Sequence, residues 1–209
     1  MQPSPALQLT FLADELPARI SRPAPLSNEA LYALCRRNPE LRIERTADGA
    51  LIVMPPIGGN TGRRNASLVV DLGIWARAYG TGLVFDSSTG FLLGNGAERS
   101  ADAAWVLRDR WEALTELDQE RFPPLCPDFV AEIRSPSDRL PPLHAKLREY
   151  VENGARLGWL IDPVGRVVWV YRAGGAVERH DAPATLSGDP VLPGFTLATA
   201  ELWYAREDA

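Results

Sequence analysis

The stretch Asp128-Phe129-Val130-Ala131-Glu132-Ile133-Arg134-Ser135-Pro136-Ser137-Asp138 decides how this chain is read. Four of its first seven residues are apolar, and the run stops at Ser-Pro-Ser-Asp, so it reads as a strand ended by a turn. Alternation puts Glu132 on one face with Val130, Asp128 and Arg134. A carboxylate inside a strand is disfavoured by propensity and costly to bury without a compensating group. Upstream, Ala101-Asp102-Ala103-Ala104-Trp105-Val106 repeats the anomaly, with Asp102 on the face of Ala104 and Val106. Two acids on neighbouring strands call for a cation. A structural ion pair with Arg134 or Arg99 answers that call as readily as catalysis does.

Working outward, Ser27 or Asn28 caps a helix over Glu29 to Asn38, which Pro39 stops. Leu41 to Thr46 and Ala50 to Met54 form a hairpin around Ala47-Asp48-Gly49. After Pro55, Pro56, Gly58 and Gly59, a second helix runs from about Thr61 to Tyr79, closed by Gly80. Extended runs at Leu83 to Asp86, Gly90 to Leu93, Ala101 to Leu107 and Asp128 to Arg134 read as successive strands of one sheet, interrupted by a polar, partly helical insertion at Arg108 to Phe122. A helix at Leu140 to Asn153 precedes strands Leu157 to Ile161 and Val167 to Tyr171, and a Pro-rich C-terminal part reads as loop plus short edge structure. Residues 1–26, rich in proline, form an arm. Residues 27–209 form one domain of mixed α and β type.

The chain has 209 residues and a formal net charge of -5, the wrong sign for a protein that coats nucleic acid through general basicity. Cys35 and Cys126 make no disulfide framework, and His144 and His180 stand at no zinc-site spacing from them. No apolar run approaches the ~18 residues that span a bilayer, and the start resembles no secretory signal, so the expected location is the cytoplasm with no membrane partner.

Among 22 basic residues one is lysine, Lys146, and the other 21 are arginine. Compositional bias accounts for the missing lysines but not for the one that remains. Ammonium is a compact point charge, whereas guanidinium is a rigid fork, so a tight site accepts only the first. Leu143, Leu147, Tyr150 and Val151 define the inward stripe of its helix, and position 146 lies on or beside that stripe, facing the sheet. A lysine snorkelling at the stripe edge is the bland alternative. Asp, Glu and Lys meeting at a sheet end point to metal-assisted phosphoryl chemistry. Two carboxylates and water suit Mg2+ (or Mn2+), and an ammonium stabilises charge on the phosphorane.

Asp102, then Glu132-Ile133-Arg134-Ser135-Pro136-Ser137-Asp138, then Lys146 with Glu149-Tyr150 and Asn153-Gly154, then Gly158-Trp159-Leu160-Ile161-Asp162-Pro163, resemble the ordered motifs of the Uma family, within the PD-(D/E)XK restriction-endonuclease-like superfamily. Arg42-Ile43-Glu44, Gly49 and Met54-Pro55-Pro56 extend the likeness over about residues 27 to 200. The resemblance implies a restriction-endonuclease-like α/β (α+β) fold, a central mixed sheet flanked by helices. It also implies that Asp102 and Glu132 hold the metal, with Lys146 as the lysine migrated to the following helix. Arg134 stands where that lysine is expected; it can stabilise charge but cannot act as a base. Asp128, four residues before Glu132 on one strand, is a decoy for the Pro-Asp pair. Glu44 is a further candidate acid, with pairing to Arg42 or Arg45 as the alternative. Arg63 and Arg64, at a helix N-terminus, are candidates for a phosphate contact.

These readings lead to a metal-dependent endonuclease acting on DNA phosphodiesters, with catalytic residues Asp102, Glu132, Lys146 and Arg134. The rival is a non-catalytic binding or regulatory module on the same fold. Exposed sheet edges in the C-terminal region also allow a homodimer.

Overall fold

The computed structural model describes residues 17–22 and 24–203. Its elements are β1 (Ala18–Ile20), α1 (Asn28–Arg37), β2 (Arg42–Arg45), β3 (Leu51–Met54), α2 (Gly59–Tyr79), β4 (Gly82–Asp86), β5 (Phe91–Leu92), β6 (Glu98–Arg99) and β7 (Ala103–Leu107). After short helices α3 (Arg108–Glu112) and α4 (Glu116–Glu120) come β8 (Phe129–Ile133), α5 (Leu140–Glu152), β9 (Leu157–Asp162), β10 (Val167–Arg172), β11 (Glu178–Asp181), β12 (Thr185–Ser187) and β13 (Thr196–Ala198). Most of the proline-rich arm lies outside the described residues. Its inner end forms β1, which pairs antiparallel with β3.

The central sheet has the order β11-β10-β9-β8-β7-β4. Only β8 and β9 run parallel, joined by the α5 crossover, and the other pairs are antiparallel. Helices cover both faces of its middle strands, so β8 and β9 are buried along their whole length. On one face α2 seats Leu68, Leu72 and Ala76 against Trp105, Phe129, Ile133 and Trp159. On the other, α5 seats Leu147 and Tyr150 against Ala104, Val106, Val130 and Leu160. Gly158 makes this second contact close, since a Cβ there would stand 2.7 Å from Leu147 Cδ1. This is the expected mixed α+β architecture, a mixed sheet flanked by helices.

The four extended runs expected in one sheet divide between two. β4, β7 and β8 join the central sheet, but β5 turns through Gly94-Asn95-Gly96 into β6, and this hairpin extends a second sheet of order β1-β3-β2-β6-β5. The free edge of the β2–β3 hairpin attracts it, with Arg45 pairing across to Glu98. The chain therefore leaves β6 beside β2 and enters β7 of the central sheet within Ser100-Ala101-Asp102. The outer edge at β11 carries Glu178, Arg179, His180 and Asp181, the charged composition that keeps an edge unpaired. Among the described residues no helix is long and apolar enough to cross a membrane.

Candidate active site

The crossing point between the two sheets is where the strand acids meet. Ala103 pairs with Ala131, which sets Asp102 across from Glu132 on the face covered by α5. Asp102 Oδ2 accepts a hydrogen bond from the Ile133 backbone N–H at 2.8 Å, and Oδ1 stands 3.2 Å from Arg42 Nη1. Lys146 comes down from α5 with its side chain 11% exposed, and its Nζ lies 2.7 Å from Glu44 Oε1, 2.8 Å from Glu132 Oε1 and 2.8 Å from the Ser100 carbonyl. The contacts to Glu44 and Ser100 are hydrogen bonds, and the one to Glu132 is an ion pair.

Glu44 belongs to this cluster. Besides Lys146, it accepts from Arg99 Nη1 at 3.1 Å and from the Ser100 backbone N–H at 3.2 Å, while Arg42 stays at 3.9 Å. Pairing with Arg45 is excluded, because Arg45 turns to the other face and donates to Leu26 O, Asn28 Oδ1 and Gly96 O. Arg99 is shared with Glu149 of α5, at 2.5 Å. The sequence offers Arg42 and Arg99 only as alternative ion-pair partners. Here they are cations of the cluster itself, Arg42 from β2 and Arg99 from the β5–β6 hairpin.

Three expected residues are not brought together with the acids. Arg134 Nη1 stands 3.2 and 3.0 Å from the two Asp162 carboxylate oxygens, and its Nε donates to the Asp138 carbonyl at 3.0 Å. Its guanidinium thus clamps the ends of β8 and β9, and the arginine beside Asp102 is Arg42. Arg63 and Arg64, the phosphate-contact candidates, bind the chain's own C-terminal segment. Arg63 donates to the Glu201 carbonyl at 3.1 Å, and buried Arg64 to the Leu202 carbonyl at 2.5 Å. Position 64 falls on the buried side of α2, which draws its cation to backbone carbonyls rather than to solvent.

The electrostatics divide the acids. Burial alone would raise the Glu44 carboxyl, but Lys146, Arg42 and Arg99 outweigh it and bring it down to about 2. Burial raises Glu132 to about 7, with Lys146 opposing and the neighbouring charge of Asp102 adding to the rise. Burial and then Glu44 push Glu98 to about 8. Glu98 hangs from β6 on the α1 side, where Gly90 leaves room for its carboxyl: a Cβ at Gly90 would overlap Glu98 Oε1. Burial works against the charge on Lys146, yet Glu132 and Glu44 hold its pKa above the usual lysine range. The ammonium therefore stays protonated at neutral pH.

Glu132 Oε1 faces the Lys146 charge but has no aligned hydrogen-bond donor. One orphaned carboxylate oxygen beside a second carboxylate fits a hard divalent ion that takes one or two protein oxygens and keeps water in its remaining positions. Among the described residues no group of three or more His, Cys, Asp or Glu side chains stands at metal-holding spacing, so an all-protein cage is not formed.

In fold, the chain is similar to a crystal structure described as a putative nuclease belonging to DUF820 from Anabaena variabilis, with a TM-score of 0.66 over 77% of this chain and 89% of that one. At 20% identity this likeness shows a shared fold. The chain belongs to the Uma2 family, described as "Putative restriction endonuclease", whose pattern matches residues 28–200. No curated protein matches it.

Proposed function

We propose that this protein is a Mg2+-dependent (or Mn2+-dependent) endonuclease that hydrolyses DNA phosphodiester bonds at the Asp102–Glu132–Lys146 cluster. The observation that carries this reading is the single lysine of the chain, bridging Glu132 and Glu44 at 2.8 and 2.7 Å beside Asp102. Asp102 and Glu132 would hold the ion, which when bound polarises the scissile phosphate and lowers the pKa of a bound water. Lys146, protonated and fixed by its partners, stabilises negative charge developing on the phosphate without needing to reorganise. Glu44 and the Ser100 carbonyl aim that ammonium. Arg42, 22% exposed and bound to Asp102, supplies a second cation that can turn toward a phosphate oxygen. Family membership and the fold shared with the Anabaena structure support a nuclease, and the restriction-endonuclease description of the family supports DNA as its substrate.

The test is cleavage of supercoiled plasmid with and without Mg2+ or Mn2+, by wild type, Asp102→Ala and Lys146→Ala. Ion-dependent nicking by wild type and none by the variants is the expected result; equal outcomes in all three would end the proposal. One observation favours a non-catalytic binding or regulatory module instead. The three acids Glu44, Asp102 and Glu132 are matched by Arg42, Arg99 and Lys146, so the cluster is electrically satisfied by the protein alone. Calorimetric titration with Mn2+ separates the readings, because a self-neutralised scaffold binds no ion through Asp102 and Glu132.

A further inference from the structure

Tyr150 is fully buried on α5, one turn beyond Lys146, whose Nζ lies 6.0 Å from the centre of its ring. Its backbone carbonyl accepts from Cys126 Sγ, but its hydroxyl has no hydrogen-bond partner among the described residues. A buried hydroxyl left unpaired is worse for stability than the same ring without it, so packing alone would be served better by phenylalanine. Two other buried polar atoms of the cluster are also without a hydrogen bond: Arg42 Nε, and Glu132 Oε1, which has only the ion pair to Lys146. The three groups feel one another. Burial raises the Tyr150 phenol well above its ordinary range, Glu132 and Glu44 raise it further, and Arg42 and Arg99 pull it back. Arg42 in turn senses Asp102, Glu44, Glu132 and Tyr150.

We propose that Tyr150 is a positioning residue whose hydroxyl, with Glu132 Oε1 and Arg42 Nε, holds an ordered water inside the acid cluster. The chemistry of the three atoms suits one water. Arg42 Nε donates, the Glu132 oxygen accepts, and the phenol does either, which meets the two to four partners a buried water takes. Lys146 hydrogen-bonds Glu44 Oε1 and the Ser100 carbonyl and meets Glu132 Oε1 as an ion pair only, so that oxygen still wants a donor. Tyr150 then acts on the reaction through the water it fixes, not by touching substrate.

The experiment has two arms, of which only the kinetic one rests on the nuclease reading. Tyr150→Phe should melt at the wild-type temperature or above it, while plasmid cleavage falls roughly tenfold in kcat with KM unchanged, the size of one hydrogen bond to a bound oxygen. Wild-type kcat in a folded Tyr150→Phe protein overturns the assignment. In the second arm, a high-resolution crystal structure of the wild type should show a water within hydrogen-bonding distance of both Tyr150 Oη and Glu132 Oε1. A dry contact there also overturns it. If wild type cleaves nothing but the water is present, the nuclease reading fails and this one stands.

Discussion

The two ends of the β7–β8 pair carry the same local device with different outcomes. At one end Asp102 accepts from the Ile133 N–H and pairs with Arg42; at the other Asp128 accepts from the Leu107 N–H at 3.0 Å and pairs with Arg110 at 2.8 Å. Each aspartate finishes a ladder that its neighbouring strand leaves incomplete. At the Asp128 end nothing more is added, and Arg110 is 38% exposed. At the Asp102 end the second sheet crosses over and brings Glu44, Arg99 and the Ser100 carbonyl, while α5 brings Lys146, Glu149 and Tyr150. A carboxylate capping a strand is therefore no mark of a site. The mark is polar machinery beyond what closing the ladder requires.

Removing one cation from each end should give the largest contrast. Lys146→Met leaves Glu44 and Glu132 buried without their shared counter-ion and should cost about 3–5 kcal/mol in urea denaturation, with cleavage abolished. Arg110→Met should cost about 1 kcal/mol or less and leave cleavage unchanged, because solvent screens its pair. Similar losses for both would erase the distinction between the ends. Exchanging the aspartates comes next. Asp102→Asn keeps an oxygen for Ile133 but should lower kcat about a hundredfold or more, a loss of electrostatic stabilisation at the reacting phosphate. Asp128→Asn should cost only stability, on the order of 1–3 kcal/mol, in the same pair of assays.

The dependence on pH should also sit at the crossing of the sheets. In the folded protein Glu98 titrates near 8, against 4.5 for an ordinary glutamate, so the unfolded chain releases its proton first as pH rises. Its contribution to stability is fully present below about 4.5 and is lost as pH climbs toward 8; Glu132, raised to about 7, acts in the same direction. Glu44, depressed to about 2, contributes above the ordinary carboxylate range and is lost only as pH falls toward 2. Thermal melts from pH 5 to 8 should thus show falling stability that Glu98→Gln flattens by roughly 2–3 kcal/mol. A parallel pair of curves would show that Glu98 is not the group responsible. The smallest effect expected is at Arg42. If Asp102 holds a divalent ion as proposed, the Arg42 guanidinium would compete for it, so Arg42→Met should tighten Mn2+ binding about tenfold by calorimetry, and weaker binding would make Arg42 a helper of the ion rather than its competitor.

Much of the architecture was legible in the chain because its signals are local. Ser27 caps α1 through its hydroxyl, Gly80 closes α2 in the left-handed conformation, and both helices begin and end within a few residues of the sequence reading. The partition of strands between two sheets was not legible. Phe91-Leu92 and Glu98-Arg99 are too short for periodicity, and their sheet was chosen by the free edge of β2, a contact between segments some fifty residues apart. That choice also explains the site residues missed. Arg42 and Arg99 read as ordinary strand cations until the hairpin lays Arg99 beside Glu44. The one available signal was the Arg99-Ser100 pair just before Asp102, where polar residues lead directly into a buried strand. The partners of Arg134 and Arg64 were not legible either, since nothing local reveals that Asp162 or the Leu202 carbonyl will be within reach.

The sequence by itself determined the strand acids and the singular lysine, because burying a charge in a strand or keeping one Lys among 21 Arg is a chemical anomaly visible without coordinates. It also determined that Lys146 faces the sheet, since helix register is a local property. Only the tertiary structure decided which charges meet. Pairing energies depend on separation and burial, and both are set here by two sheets crossing at Ser100, not by any spacing along the chain.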